Sequence, residues 1–218
     1  MARNTNPVCK ICKSQGEKLF LKGERCYTPK CAVDRSRDSS GRRAPGGPAG
    51  AQRRRRRLSD HGIQLQQKQK ARHIYGIYER QFRGVFDEAA RQTGVTGSNL
   101  LKLLERRLDN VVYRAGFATS RPQARQTVNH GHIVVNGKKV DIPSFIVKPG
   151  DVVGWREKSK SSGLFKAASD NVGRRRQATN WITVDSDNLT AAIDAVPAED
   201  DIDTTIDTRM IVEYYSRR

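Results

Sequence analysis

Apolar residues recur at three- and four-residue spacing over two stretches of the chain, the pattern of amphipathic helices. The first follows Ser59, a predicted N-cap, and is expected to run as one helix to about residue 91; the second follows Ser98, also a predicted N-cap. The stripe residues are Ala71, Ile74, Tyr75, Tyr78, Phe82, Val85, Phe86 and Ala89, then Leu101, Leu104, Leu108, Val111 and Val112. Because the aromatic members repeat at core spacing, we expect them to be buried rather than to stack on bases.

The period then changes from helical to strand-like. Ser120-Arg121-Pro122-Gln123 is a capping box with proline in the first turn, so it predicts a third helix, which Gly131 ends. Asn136-Gly137 lies between two apolar or basic runs and predicts a β-hairpin. Further short strands are expected at 145–147, 152–155 and 181–184, a basic helix after Trp155 to about residue 176, then an acidic, loop-rich segment. The predicted fold class is α+β, with a mainly helical N-terminal part and a short antiparallel sheet.

A linker is predicted over residues 34–52, where glycine and proline accumulate around Ala44-Pro45-Gly46-Gly47-Pro48. Five consecutive arginines, Arg53 to Arg57, follow it. A charge run can be a solvated face, but the planar guanidinium suits phosphate binding better than solubility requires.

Charge is unevenly distributed along the 218 residues. The net charge is +18, with +11 in residues 1–60 and −6 in residues 181–218. This balance predicts a polyanion as partner for most of the chain, and a tail that packs on protein or faces solvent. No apolar run of about 18 residues and no signal peptide occurs, so we expect a soluble, cytoplasmic protein that does not bind membranes.

All the cysteines lie near the N-terminus, as Cys9-x2-Cys12-x13-Cys26-x4-Cys31. Two close pairs separated by about a dozen residues predict a structural zinc site with four cysteine ligands, and an iron–sulfur cluster is the alternative for the same ligands. The alternatives are two disulfides or four free thiols, and disulfides are not expected without an export signal. Surrounding lysines and arginines are expected to lower the thiol pKa values.

Two short motifs could suggest chemistry. Arg107-Leu108-Asp109 resembles a triplet that carries the catalytic aspartate of pseudouridine synthases, but it lies mid-helix, so we interpret Asp109 as structural. His130 and His132 are expected to be surface or RNA-contacting residues rather than metal ligands. Arg121 and Arg125 share a stripe on the predicted third helix and are expected to contact phosphate.

The sequence closely resembles the family of bacterial small-subunit ribosomal protein four, in its zinc-binding variant, over essentially its full length. The segments that carry the resemblance are 16–23, Leu58-Ser59-Asp60, Ile74-Tyr75-Gly76, Glu79-Arg80-Gln81-Phe82 and 104–114. It implies three parts: a metal module and linker (1–45), a helical domain (46–97) closed by the tail (182–218), and a domain with the αL RNA-binding motif (98–181). One departure stands at 46–51, where a longer Gly/Pro loop replaces the family's usual Gly-Gln-His-Gly turn.

The resemblance also implies function. A structural protein of the small ribosomal subunit would bind small-subunit rRNA, nucleate assembly, lie beside neighbouring proteins where mRNA enters, and influence decoding accuracy. The implied zinc ligands are Cys9, Cys12, Cys26 and Cys31. The implied RNA-binding residues are Arg53, Arg54, Arg55, Arg56, Arg57, Ser120, Arg121, Gln123, Arg125, Asn136, Lys138 and Lys139.

Two other classes of protein agree less well with the sequence. An RNA-modifying enzyme that uses the αL motif as a guide would need a further domain of roughly 150 residues, for which the chain has no room. A zinc-finger DNA-binding protein would need a recognition helix beside the cysteines, and none is clear. No catalytic residue and no small-molecule substrate are therefore expected.

Overall fold

The computed structural model describes residues 7–41, 58–174, 179–202 and 205–216. Arg53 to Arg57 and the Gly/Pro loop at 46–51 lie outside these residues. The helices are α1 Val8–Gln15, α2 Ala32–Gly41, α3 Asp60–Ile74, α4 Glu79–Arg91, α5 Thr96–Glu105, α6 Leu108–Arg114, α7 Arg121–Asn129, α8 Gly163–Arg174 and α9 Thr208–Ser216. The strands are β1 Ile133–Val135, β2 Lys138–Lys139, β3 Val152–Trp155, β4 Ile182–Asp185 and β5 Thr190–Ile193. No helix in these ranges has the length and apolarity needed to span a membrane.

The helix predicted from Ser59 to residue 91 is two helices. Its start is confirmed, because the Ser59 hydroxyl accepts a 3.2 Å hydrogen bond from the Gly62 amide. Gly76 then adopts φ +63°, a conformation that glycine tolerates and a helix does not. The chain turns there and re-enters helix at Glu79. The predicted linker also begins too early, since its first residues belong to α2.

The second predicted helix is also interrupted. It begins at Thr96 rather than after Ser98, so the prediction that Ser98 is the N-cap is wrong. Between α5 and α6, Arg106 and Val147 exchange two hydrogen bonds: the Val147 amide donates to the Arg106 carbonyl at 3.0 Å, and Arg106 Nε donates to the Val147 carbonyl at 2.9 Å. Residues 145–147, which were predicted to form a strand, instead contact this junction. They make one isolated antiparallel bridge, between Arg107 and Ile146.

The five strands form one antiparallel sheet in the order β2-β1-β3-β5-β4. The predicted Asn136-Gly137 hairpin is confirmed: both residues have positive φ, 51° and 76°, and they join β1 to β2. β5 was not predicted, because it lies in the acidic segment interpreted as loop. It pairs on one side with β3, placing Val153 opposite Ala191, and on the other with β4.

The described residues pack around two hydrophobic cores. One contains Leu100, Leu104, Phe82, Ile74 and, from the C-terminal helix, Ile211. The other begins at Leu108 and runs through α6, α7 and the sheet. This packing differs from the division expected from sequence in two places. α5 belongs to the first core, so the change of core falls between residues 104 and 108 rather than at 98. β4 and β5 belong to the second core. Only the last part of the C-terminal tail packs into the first core.

Candidate RNA-binding surface

α7 is fixed at both ends by the residues that predicted it. The Ser120 hydroxyl accepts from the Gln123 amide at 3.4 Å, and Gln123 Oε1 accepts from the backbone amide and the hydroxyl of Thr119 at 2.9 and 2.6 Å. In this capping box the Gln123 side chain therefore bonds to Thr119, the residue before the N-cap. Gly131, at φ +71°, ends the helix and turns the chain into β1.

The inner side of α7 carries an ion-pair cluster around Asp109. Arg107 donates to both carboxylate oxygens of Asp109, at 3.1 and 2.9 Å, and Arg125 Nη1 donates to Oδ2 at 3.1 Å. All three residues are buried. Burial lowers the pKa of the Arg125 guanidinium, an effect that Arg107 reinforces and Asp109 opposes. Asp109 is thus held by two arginines on a packed helix, in keeping with the structural role expected of it.

A second cluster surrounds Glu105, which has no exposed surface. Its carboxylate accepts hydrogen bonds from Tyr75 at 2.7 Å, from Asn110 at 2.7 Å, and from Arg114 at 2.9 and 2.8 Å. Arg121 lies 3.9 Å away. Burial alone would raise the pKa of Glu105, but Arg114 and Arg121 hold it below its usual range. The cluster is a paired and hydrogen-bonded network joining the two cores.

Arg121 and Arg125 are consequently not the exposed cations expected from their stripe. Arg121 donates from Nε to Asn110 Oδ1 at 2.8 Å, and its guanidinium lies 4.6 Å from the Tyr113 ring centroid. Its side chain is only 11% exposed. A helix wheel shows which residues share a stripe, but not that a neighbouring helix covers the stripe. Whether either arginine also reaches phosphate stays a prediction.

The β1–β2 hairpin presents two exposed lysines. Asn136 is held by two bonds: its Nδ2 donates to Asp151 at 2.8 Å, and its Oδ1 accepts from the Val152 amide at 2.8 Å. Lys138 and Lys139 are both exposed on β2. Lys139 pairs with Asp141 at 3.1 Å, and its side chain lies over Gly131. The hairpin and the end of α7 therefore form one continuous surface.

Among the other sequence predictions, His132 contacts the Ser159 hydroxyl through Nδ1 at 2.9 Å, and His130 is exposed. Sequence reasoning missed Glu105 as an organising residue. The available signal was a single acid placed directly after Leu103 and Leu104, where the helix is buried. It also missed His73, whose pKa is lowered by burial and by Arg72.

The four cysteines form no disulfide with one another and line one small apolar pocket between α1 and α2. The Lys22 amide donates to Cys26 Sγ at 3.4 Å. Burial raises the pKa of the Cys12 thiol; a hydrogen bond with the Leu19 backbone opposes this shift, and the other three cysteines add to it. Within the described ranges, no three cysteine, histidine or acidic side chains are grouped closely enough to hold a metal ion.

Known proteins match this chain from end to end. A family model described as "Ribosomal protein S4/S9 N-terminal domain" matches residues 3–105, and one described as "S4 domain" matches residues 106–153. Proteins named small ribosomal subunit protein uS4 from Heliobacterium modesticaldum, Desulfitobacterium hafniense and Pelotomaculum thermopropionicum are 52%, 51% and 50% identical to it. Each alignment spans 217 residues and 100% of both chains.

A basic hairpin beside a capped helix, within an S4 domain, defines a class of RNA-binding protein. The boundary between the two matched regions falls where the two cores meet. The chain belongs to the uS4 family of small ribosomal subunit proteins. Because this family is a structural part of the ribosome, the prediction that the chain is not an enzyme is confirmed.

Proposed function

We propose that this chain is a structural component of the small ribosomal subunit and binds small-subunit rRNA directly. The full-length match to uS4 proteins is the observation that carries the proposal. The net charge of +18 supports it, since RNA affinity depends strongly on phosphate neutralisation. As such a component the chain acts in cytoplasmic ribosomes and has neighbouring small-subunit proteins as partners.

At the proposed RNA surface, some residues would contact RNA directly and others would hold α7 in position. Lys138, Lys139 and Asn136 are exposed on the hairpin and would contact phosphates and bases directly. Ser120, Gln123, Arg121 and Arg125 fix the position of α7, and Arg121 and Arg125 add positive potential from partly covered sites. Arg53 to Arg57, outside the described residues, would bind phosphate along rRNA or where mRNA enters the subunit. The chain would also nucleate assembly of the small subunit and influence decoding accuracy.

The cysteine module would hold one structural zinc ion. All four cysteines line the same pocket, and a backbone amide already donates to one sulfur, as is common around thiolate ligands. The sulfurs would have to move on binding to reach tetrahedral geometry, at about 2.3 Å from zinc. Cys9, Cys12, Cys26 and Cys31 would be the ligands, and an iron–sulfur cluster is the alternative occupant of the same set. The metal would supply folding energy rather than chemistry.

Co-sedimentation tests the main proposal. Tagged full-length protein, expressed in a bacterium in place of the host's own protein, should sediment with small subunits in sucrose gradients. It should remain there after a wash at moderate salt. Protein found only at the top of the gradient, from cells that carry intact small subunits, would contradict the proposed function.

A further inference from the structure

A cleft separates the exposed edge of α7 from the end of α3. Its cavity volume is about 310 Å³, within the range of pockets that hold small organic groups. The lining comes from four parts of the chain: Leu21 of the N-terminal module, the end of α3 with the turn after it, Asp109 of α6, and α7. It includes Ile74, Tyr75, Gln126 and Asn129.

The floor of the cleft is apolar and one wall is polar. Leu21, Ile74 and Tyr75 are buried and form the floor. Gln126 and Asn129, three residues apart on α7, are exposed and form the wall. Their amide groups make no hydrogen bond to the part of the chain that the structure describes, so their donors and acceptors are available to a ligand.

The charge behind the cleft is positive. Four arginines, Arg107, Arg114, Arg121 and Arg125, stand in the two clusters with two carboxylates, Glu105 and Asp109, so the clusters together carry net positive charge. Asp109 lines the cleft itself, and so do the two cations Arg121 and Arg125. Their hydrogen bonds hold them in place, so they attract an anion without having to be ordered by it.

We propose that this cleft holds one unpaired nucleotide of the bound RNA. A nucleobase combines a flat apolar face with donors and acceptors on its edge, and the apolar floor and the two amides of the wall match these features. The net positive charge of the clusters matches the phosphate. The inference rests on the proposed function, because it assumes that the chain binds small-subunit rRNA, and it adds a contact that the exposed hairpin does not make.

The test is chemical probing of a small-subunit rRNA transcript with the full-length protein. Wild-type protein should protect one or two unpaired nucleotides that become reactive again with the Q126A/N129A double variant. Loss of two hydrogen bonds should weaken binding roughly tenfold. The slope of log affinity against log salt should stay unchanged, because no phosphate contact is removed. Gln81→Ala, which removes an exposed amide from α4, is the matched control and should leave protection and affinity unchanged.

The outcomes separate this inference from the proposed function. If wild-type protein binds the transcript and the double variant gives the same protections and affinity, the cleft is not a nucleotide site and the proposed function stands. If wild-type protein does not bind the transcript at all, the proposed function itself fails. Free nucleoside 5′-monophosphates, titrated into the protein without RNA, complete the test: micromolar binding would assign the cleft to a metabolite and overturn the inference, and no binding supports it.

Discussion

Arg114 donates two hydrogen bonds to Glu105, from Nε at 2.9 Å and from Nη2 at 2.8 Å. The pair crosses the junction of the two cores, because Glu105 ends α5 in the first core and Arg114 ends α6 in the second. Tyr75 and Asn110 satisfy the remaining capacity of the carboxylate. The two parts of the protein are thus joined by a fully hydrogen-bonded, buried charge.

Removing this charge should destabilise the whole chain. Glu105→Gln keeps the shape but breaks a buried ion pair and leaves the mostly covered Arg114 without its counterion, a change that typically costs about 3–5 kcal/mol. The free energy of unfolding in urea, measured without RNA, should fall by that order. Glu157→Gln is the control: it breaks the exposed pair with Lys160 and should have little effect. Equal stabilities for the two variants would contradict a structural role for Glu105.

The same carboxylate should make stability depend on acid pH. Its pKa is lowered in the folded protein, so the unfolded chain binds the proton more tightly. The stabilisation is therefore present above the unfolded pKa of about 4.3 and lost as pH falls below it. Urea denaturation from pH 7 to about pH 2 should show the difference between wild type and Glu105→Gln shrinking below about pH 4, as the pH approaches the lowered pKa of the folded state. A constant difference across this range would contradict it.

Two helical glycines should respond oppositely to alanine. A Cβ at Gly97 of α5 would lie 2.7 Å from the side chain of Thr208, where α9 packs against α5, whereas a Cβ at Gly84 of α4 would meet open space. Gly97→Ala should destabilise by about 1–3 kcal/mol through overpacking. Gly84→Ala should stabilise by about 0.5–1 kcal/mol, as a helix gains from losing glycine. Thermal denaturation of both variants measures the signs, and matching signs would show that the C-terminal helix does not pack so closely.

Replacing the exposed lysines should change the salt dependence of RNA binding, whereas replacing a covered arginine should change the stability of the free protein. Lys138→Ala with Lys139→Ala should reduce the slope of log affinity for rRNA against log salt by about one per lost phosphate contact, without changing the stability of the free protein. Arg121→Ala should instead lower the stability of the free protein, because it removes the bond to Asn110 and the packing on Tyr113.

Arg209→Ala is the control for charge alone, since this residue is exposed on α9, away from the hairpin. An unchanged slope in the lysine double variant would remove the hairpin from the proposed RNA surface.

The cysteine module should bind metal stoichiometrically. Elemental analysis of the purified chain should find about one zinc per molecule. Cys12→Ser should lower the metal content and the melting temperature, whereas Ser14→Ala, on the same helix, should leave both unchanged. Iron with visible absorption would identify the cluster alternative. A chain with neither metal would contradict the proposed site.

Local signals were sufficient wherever neighbours in sequence decide the conformation. Ser59 and Ser120 cap the helices they were expected to cap, and Asn136-Gly137 forms the expected turn. The apolar stripes also predicted most of the buried side chains, but the prediction is wrong for Tyr78, which is 39% exposed, and Val85 and Phe86 are only partly buried. These features depend on hydrogen bonds and φ preferences within a few residues, so a linear pattern contains them.

Tertiary packing decided what the pattern left open. Gly76 ends a helix whose apolar period continues through it, and β5 forms in an acidic segment because β3 and β4 offer it backbone partners on both sides. Arg121 and Arg125 share the stripe that sequence assigns them, but carboxylates and tyrosines distant in the chain cover them. The sequence by itself determined the starts of α3 and α7, the hairpin, the basic character and the family. Only the folded chain decided which cations remain at the surface, because burial and ion pairing depend on residues brought together from far apart.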